Sequence, residues 1–157
     1  MASWISVYCT ASLDAVTAKK LAAGIRDKDD DAPAGVDYLT LAEQYGVDDT
    51  AVKAALGSLS ITKWSGGFAL AYGAKLPVRI HRWTDRARVA DELAELPRKL
   101  AGVVEVVGIE LAASQLRDFG VVVAYEVARY LAQKANGVTR DLGGVFGVVR
   151  RGAFVDL

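Results

Sequence analysis

Residues 103–111, VVEVVGIEL, form an almost unbroken run of apolar, mostly β-branched side chains. A run of this kind, short and without polar alternation, predicts a strand buried on both faces, in the interior of a sheet that is covered on each side. The rest of the chain has to supply that cover. Glu105 and Glu110 interrupt the run, and a carboxylate in such a strand is costly unless it meets a cation, lies at a strand edge or holds its proton. Standing five positions apart, they fall on opposite faces of the strand and cannot together form the acid/base pair of a glycosidase.

The segments around this strand alternate between sheet and helix periodicity. Residues 4–10 place Ile5, Val7 and Cys9 on one side and Trp4, Ser6, Tyr8 and Thr10 on the other, which predicts a first strand. Ser12 is the expected cap of a helix that carries Ala18, Leu21, Ala22 and Ile25 inward and weakens at Gly24. Residues 27–35, DKDDDAPAG, read as a charged loop. Residues 68–72 and 78–83 read as a hairpin preceded by a short strand at 61–64. Thr84 is the expected cap of a helix with Val89, Leu93, Leu96 and Leu100 inward, ion pairs Arg88–Glu92 and Glu95–Lys99 outward, and a kink or early end at Pro97. Residues 116–134 form a helix with so wide an apolar arc that it must be buried on more than one side, ended by Asn136-Gly137. Residues 138–141 and 145–150 flank Leu142-Gly143-Gly144 as a terminal hairpin, which 153–155 extends. The expected architecture is one α+β domain spanning 1–157, with a mixed β-sheet, packed helices and an inserted helical hairpin at 38–59.

Composition narrows the function classes. At 52% hydrophobic and 24% charged residues, the chain has ample core and no signature of disorder. One cysteine, Cys9, excludes an internal disulfide, and one histidine, His81, excludes a zinc site built from Cys/His clusters, so neither metal nor cofactor is expected. No Walker loop or dinucleotide fingerprint is present, and Asp27, Asp29 and Asp31 lack the glycine and the distal glutamate of a calcium loop. No signal segment or long apolar run is visible, which gives the expectation of a cytoplasmic protein that does not enter a membrane.

Within 38–59, Ala42, Gly46, Val47, Val52 and Leu56 stand where a helix-turn-helix packs its two helices, and the segment resembles that of bacterial winged-helix repressors. The resemblance implies a DNA-binding regulator. The charge argues against it. The second helix opens with Asp48 and Asp49 and offers only Lys53, and residues 1–60 carry five basic against nine acidic side chains, a balance that repels a polyanion.

Residues 61–157 carry the opposite excess, 14 basic against 10 acidic. It is densest from Lys75 to Arg88, where Arg79, Arg82, Arg86 and Arg88 interleave with His81 and Trp83. Strand alternation puts Arg79, His81 and Trp83 on one face and Val78, Ile80 and Arg82 on the other. That first face can grip an anion or a partner surface. Alternatively, Arg79 and Arg82 pair with carboxylates of neighbouring strands. Glu110, at the C-terminal end of its strand, is followed by Ser114, Gln115 and Asp118, a polar cluster that can contact a partner, or in which Ser114 or Asp118 caps the next helix. The candidate partner-binding residues are therefore Arg79, His81, Trp83, Glu110, Gln115 and Asp118. No nucleophile motif accompanies His81, and Cys9 lies inside a strand, so no catalytic residue is assigned.

Residues 106–144 end a long alanine-rich helix with Gly137-Val138-Thr139-Arg140-Asp141 and a glycine turn. This ending is similar to families found among immunity proteins of bacterial toxin systems, including those of myxobacteria. The resemblance implies a cytosolic, non-enzymatic α+β protein that binds a cognate toxin through a charged face and occludes its active surface. A protein partner, rather than nucleic acid or a membrane, is the expectation carried into the structure.

Overall fold

A computed structural model describes residues 2–26, Asp48, 59–64, 67–72, 76–151 and 153–157. Eight strands form one sheet: β1 (Ser3–Cys9), β2 (Leu59–Trp64), β3 (Gly67–Tyr72), β4 (Val78–Trp83), β5 (Glu105–Leu111), β6 (Val138–Arg140), β7 (Phe146–Arg150) and β8 (Ala153–Asp156). Among the described residues three helices accompany them, α1 (Ala18–Arg26), α2 (Arg86–Ala94) and α3 (Phe119–Ala135), with a 3-10 turn at Ala113–Arg117. The order across the sheet is β2-β3-β4-β5-β1-β6-β7-β8.

Every strand pair is antiparallel, so the α+β class holds while the expected mixed sheet does not. The reason lies in β1. Strands β5 and β6 run in the same direction and are joined through α3, the connection that suggests parallel neighbours. The first strand inserts between them and pairs antiparallel with both, Ser3 opposite Leu111 and Val7 opposite Thr139.

Strand β5 lies mid-sheet and is buried along almost its whole length, but it begins at Glu105: Val103 and Val104 of the expected strand precede it, and Val104 is exposed. Ile5, Val7, Cys9, Leu70, Ile80, Val107 and Ile109 point to the side covered by α1 and α3 and make the main core. Helix α3 is buried from Phe119 to Arg129 without a break, which accounts for its wide apolar arc. Gly24, expected only to weaken α1, has a packing role: a Cβ there would fall within the ring of Tyr130 on α3, so its absence sets how closely the two helices approach. On the other side of the sheet a smaller cluster of Tyr8, Val89, Val106 and Phe146 forms beneath α2. That helix covers only part of this outer face.

The helix starts differ from the sequence expectation. Ser12 serves a turn, accepting from Asp14 N at 3.1 Å, and Thr17 Oγ1 accepts from Lys20 N at 3.2 Å at the start of α1. Asp85, rather than Thr84, caps α2 by accepting from Arg88 N at 3.3 Å. Helix α2 ends at Ala94, so Arg88–Glu92 pair at 2.8 Å while Glu95 and Lys99 lie beyond the helical register. Leu59 opens β2 instead of closing a helix. The remainder of the helix-turn-helix segment, apart from Asp48, lies outside the described residues, as does the stretch 27–35 expected to form a charged loop.

Glu105 sits on the main-core side with 2% of its surface exposed. Arg82 meets it with two hydrogen bonds, Nε to Oε2 at 2.8 Å and Nη2 to Oε1 at 3.0 Å. Leu13 N also donates to Oε1 at 2.9 Å, and Arg82 reaches Asp14 at 3.0 Å. One carboxylate thus joins β4, β5 and the loop entering α1. Because removing one partner strands the other in a desolvated setting, Glu105→Ala is expected to cost about 3–5 kcal/mol in urea unfolding.

Burial and the nearby Glu105 charge push the Cys9 thiol up to about 12, and burial raises the Tyr72 and Tyr130 hydroxyls as well. These groups hold their protons in the folded chain and release them more readily when unfolded. Stability is therefore expected to be complete below about pH 8, where an unfolded thiol is still protonated, and to fall as pH rises towards 12, by at most about 1.4 kcal/mol per pH unit for the thiol. Urea midpoints measured from pH 7 to 11 check this, and Cys9→Ala should flatten the first part of the decline.

Candidate functional site

Where α2 stops covering the outer face, three rings come together from two strands. His81 and Trp83 share a face of β4, with their rings stacked at 5.7 Å and 10°. Trp4 of β1 reaches across β5 to both, at 5.2 Å from His81 and 6.1 Å from Trp83. The residue between them is Gly108, paired with His81 on one side and Ser6 on the other. A Cβ at Gly108 would stand 2.6 Å from Trp83 and 3.1 Å from Trp4, so the rings close over a position with no side chain. Trp4 remains 41% exposed, unusually so for an indole on a folded surface.

Charged groups frame the rings. Glu110 lies opposite both Trp4 and Arg79 in the sheet register, and its Oε1 is 2.9 Å from His81 Nε2, an imidazole–carboxylate hydrogen bond. This contact commits Nε2 and fixes the ring against Trp83. Arg88, from the first turns of α2, stacks its guanidinium 4.7 Å from the Trp83 ring. Arg79 is exposed and, with Ala69, Pro77 and His81, lines a shallow cleft of about 380 Å³ at the margin of the patch. Further along the same face, Arg98 and Arg140 lie 5.7 and 5.3 Å from the ring of Phe146. The face therefore alternates aromatic rings with guanidinium groups.

Of the six residues singled out from the sequence, Arg79, His81, Trp83 and Glu110 are brought together here. Gln115 and Asp118 are not. Gln115 is buried, accepting from Ala112 N and donating to Leu76 O, both at 2.8 Å. Asp118 caps α3 by accepting from Gly120 N at 2.7 Å and accepts the Tyr72 hydroxyl at 3.0 Å. Both brace the end of the sheet against α3. Arg82 takes the paired alternative with Glu105, whereas Arg79 stays on the open face. Trp4 and Arg88 join the site without having been assigned to it. Strand alternation already placed Trp4 off the core side, but only the pairing of β1 with β5 puts it opposite Glu110.

Among the described residues no three His, Cys, Asp or Glu side chains gather as metal ligands, and no helix is long and apolar enough to cross a membrane. What the patch can do chemically is present rigid flat rings and fixed cations. Comparison with protein-family models, curated proteins and solved structures finds no match to this chain.

Gly108→Val is expected to drive the two indoles apart, with Trp4 swinging outward because it is the exposed one, while Trp83 is packed against the cluster beneath α2. The near-UV circular dichroism of the tryptophans should weaken markedly. Unfolding stability should drop by about 0.5–1.5 kcal/mol, the worth of an aromatic contact. An unchanged near-UV spectrum would contradict the contact across Gly108.

Proposed function

We propose that this chain is a cytoplasmic, non-enzymatic binding protein of immunity type, which neutralises a bacterial toxin by laying the open face of its sheet over the toxin's active surface. The observation that carries this reading is the exposed Trp4, packed with His81 and Trp83 and flanked by Arg79 and Arg88. Tryptophan and arginine dominate the energetics of protein interfaces because they bury large area at modest conformational cost. Here the sheet and the Glu110–His81 contact hold the rings in place before any partner arrives, which lowers the cost of binding. Arg79, exposed at the margin of the rings, favours an acidic partner surface and speeds its approach, whereas Arg88 is balanced by Glu92 and serves to hold Trp83.

Occlusion is the mechanism that fits such a face. A relatively flat sheet surface with projecting rings covers a cleft without entering it chemically, and the acid/base pair on it is engaged internally. The resemblance expected from the ending of residues 106–144 alone agrees with this reading.

Affinity capture from the native cytosol, followed by calorimetry with the recovered partner, tests the reading. Trp4→Ala and Trp83→Ala should each weaken binding by about 30-fold or more, and Arg79→Glu should slow association and steepen the loss with salt. Recovery of no protein partner together with turnover of a substrate would overturn the proposal. Salt-sensitive duplex binding abolished by Lys53→Glu would replace it with a regulator acting through residues 38–59.

A further inference from the structure

A second surface, on the opposite side of the sheet, has the makings of a small-molecule site. Helices α1 and α3 pack antiparallel, with Gly24 against Tyr130, and one turn further along the pair Lys20 and Lys134 line the same cleft. Its volume is about 520 Å³, within the range of ligand pockets. We propose that this cleft binds a small organic anion, a carboxylate or phosphate monoester with an apolar body, the charge held by Lys20 and Lys134 and the body lying against Tyr130 and Val16.

Three observations support the assignment. First, among the described residues the lining is charged in one sense only: Lys20, Lys134 and Arg129 contribute to it, and no described carboxylate does. Arg129 is balanced by Glu126 at 2.9 Å within α3, so the two lysines set the potential. Second, neither ammonium meets a carboxylate among the described residues. Lys20 Nζ donates to Ala15 O at 3.2 Å, which uses one of its three N–H groups, and Lys134 Nζ rests 5.6 Å from the centre of the Tyr130 ring. Third, the last carbonyl of α3 has partners other than Lys134. The terminal carbonyl of Ala135 accepts from Thr10 N and Ala11 N at 3.2 Å each and from the Thr10 hydroxyl at 3.2 Å. The phenol ring and Val16 supply an apolar wall beside the two charges, the composition that suits an amphipathic anion rather than a bare ion.

The proposal is independent of the docking face, and its test uses the isolated chain. Amide spectra of the ¹⁵N-labelled protein are recorded during titration with benzoate, with phenyl phosphate and with neutral benzyl alcohol. Saturable shifts at Gly24 and Tyr130 are expected for the anions and none for the alcohol. Whichever anion saturates at lower concentration identifies the head group. Lys20→Gln and Lys134→Gln should each weaken binding by about tenfold, the effect of losing one charge-assisted contact, while Lys19→Gln, on the exposed side of α1, should leave it unchanged. Thermal melts establish that the variants fold. Absence of saturable shifts in the wild-type protein overturns the site. So does equal binding of benzyl alcohol, or undiminished anion binding in both lysine variants.

Discussion

A carboxylate at the head of the most buried strand fixes this fold's geometry. Glu105 can occupy that place only with Arg82 across the neighbouring strand and the Leu13 amide from the loop above it. These partners tolerate no sliding. A one-residue slip of β4 against β5 would turn Arg82 to the opposite face and leave the acid alone in the core. The register that satisfies Glu105 is the same register that sets His81 beside Gly108 and Arg79 opposite Glu110. The exposed aromatic patch is thus positioned by an ion pair on the reverse side of the sheet.

The sheet consequently has two unlike faces. One is closed by α1 and α3 and holds the apolar core. The other is covered by α2 over Tyr8, Val106 and Phe146, with Trp83 packed at the edge of that cluster and Trp4 exposed beyond it. Such asymmetry leaves a rigid surface for contact without exposing the core, since the strands beneath are held from behind.

Much of this was legible in the residues themselves. Two-sided burial of β5 followed from its β-branched run, the hairpins from their turn glycines, and the division of β4 into an Arg79/His81/Trp83 face and an Arg82 face from simple alternation. The need of Glu105 for a cation followed from the cost of burying charge. What remained hidden depended on long-range pairing. Periodicity could not reveal that β1 inserts between β5 and β6, and without that the sheet looked mixed and Trp4 had no companions. Gln115 and Asp118 belong here for a related reason: polar residues after a strand can face a crevice or brace a helix start, and periodicity does not reveal the contacts they make with Leu76, Ala112, Tyr72 and Gly120. Cap positions shifted because Thr17 and Asp85 compete with Ser12 and Thr84 within the same few residues.

The central place of β1 bears on how the chain reaches its native state. Its two neighbours come from β5 and β6, far along the sequence, and neither flanking partner is local. The first strand must therefore wait, its ladder groups exposed, until β5 and β6 have been made, and closing so large a loop carries an entropic barrier that chains built from local helical contacts do not face. Slow assembly and a vulnerable nascent form, open to capture by chaperones or to clumping, are the natural accompaniments of this topology.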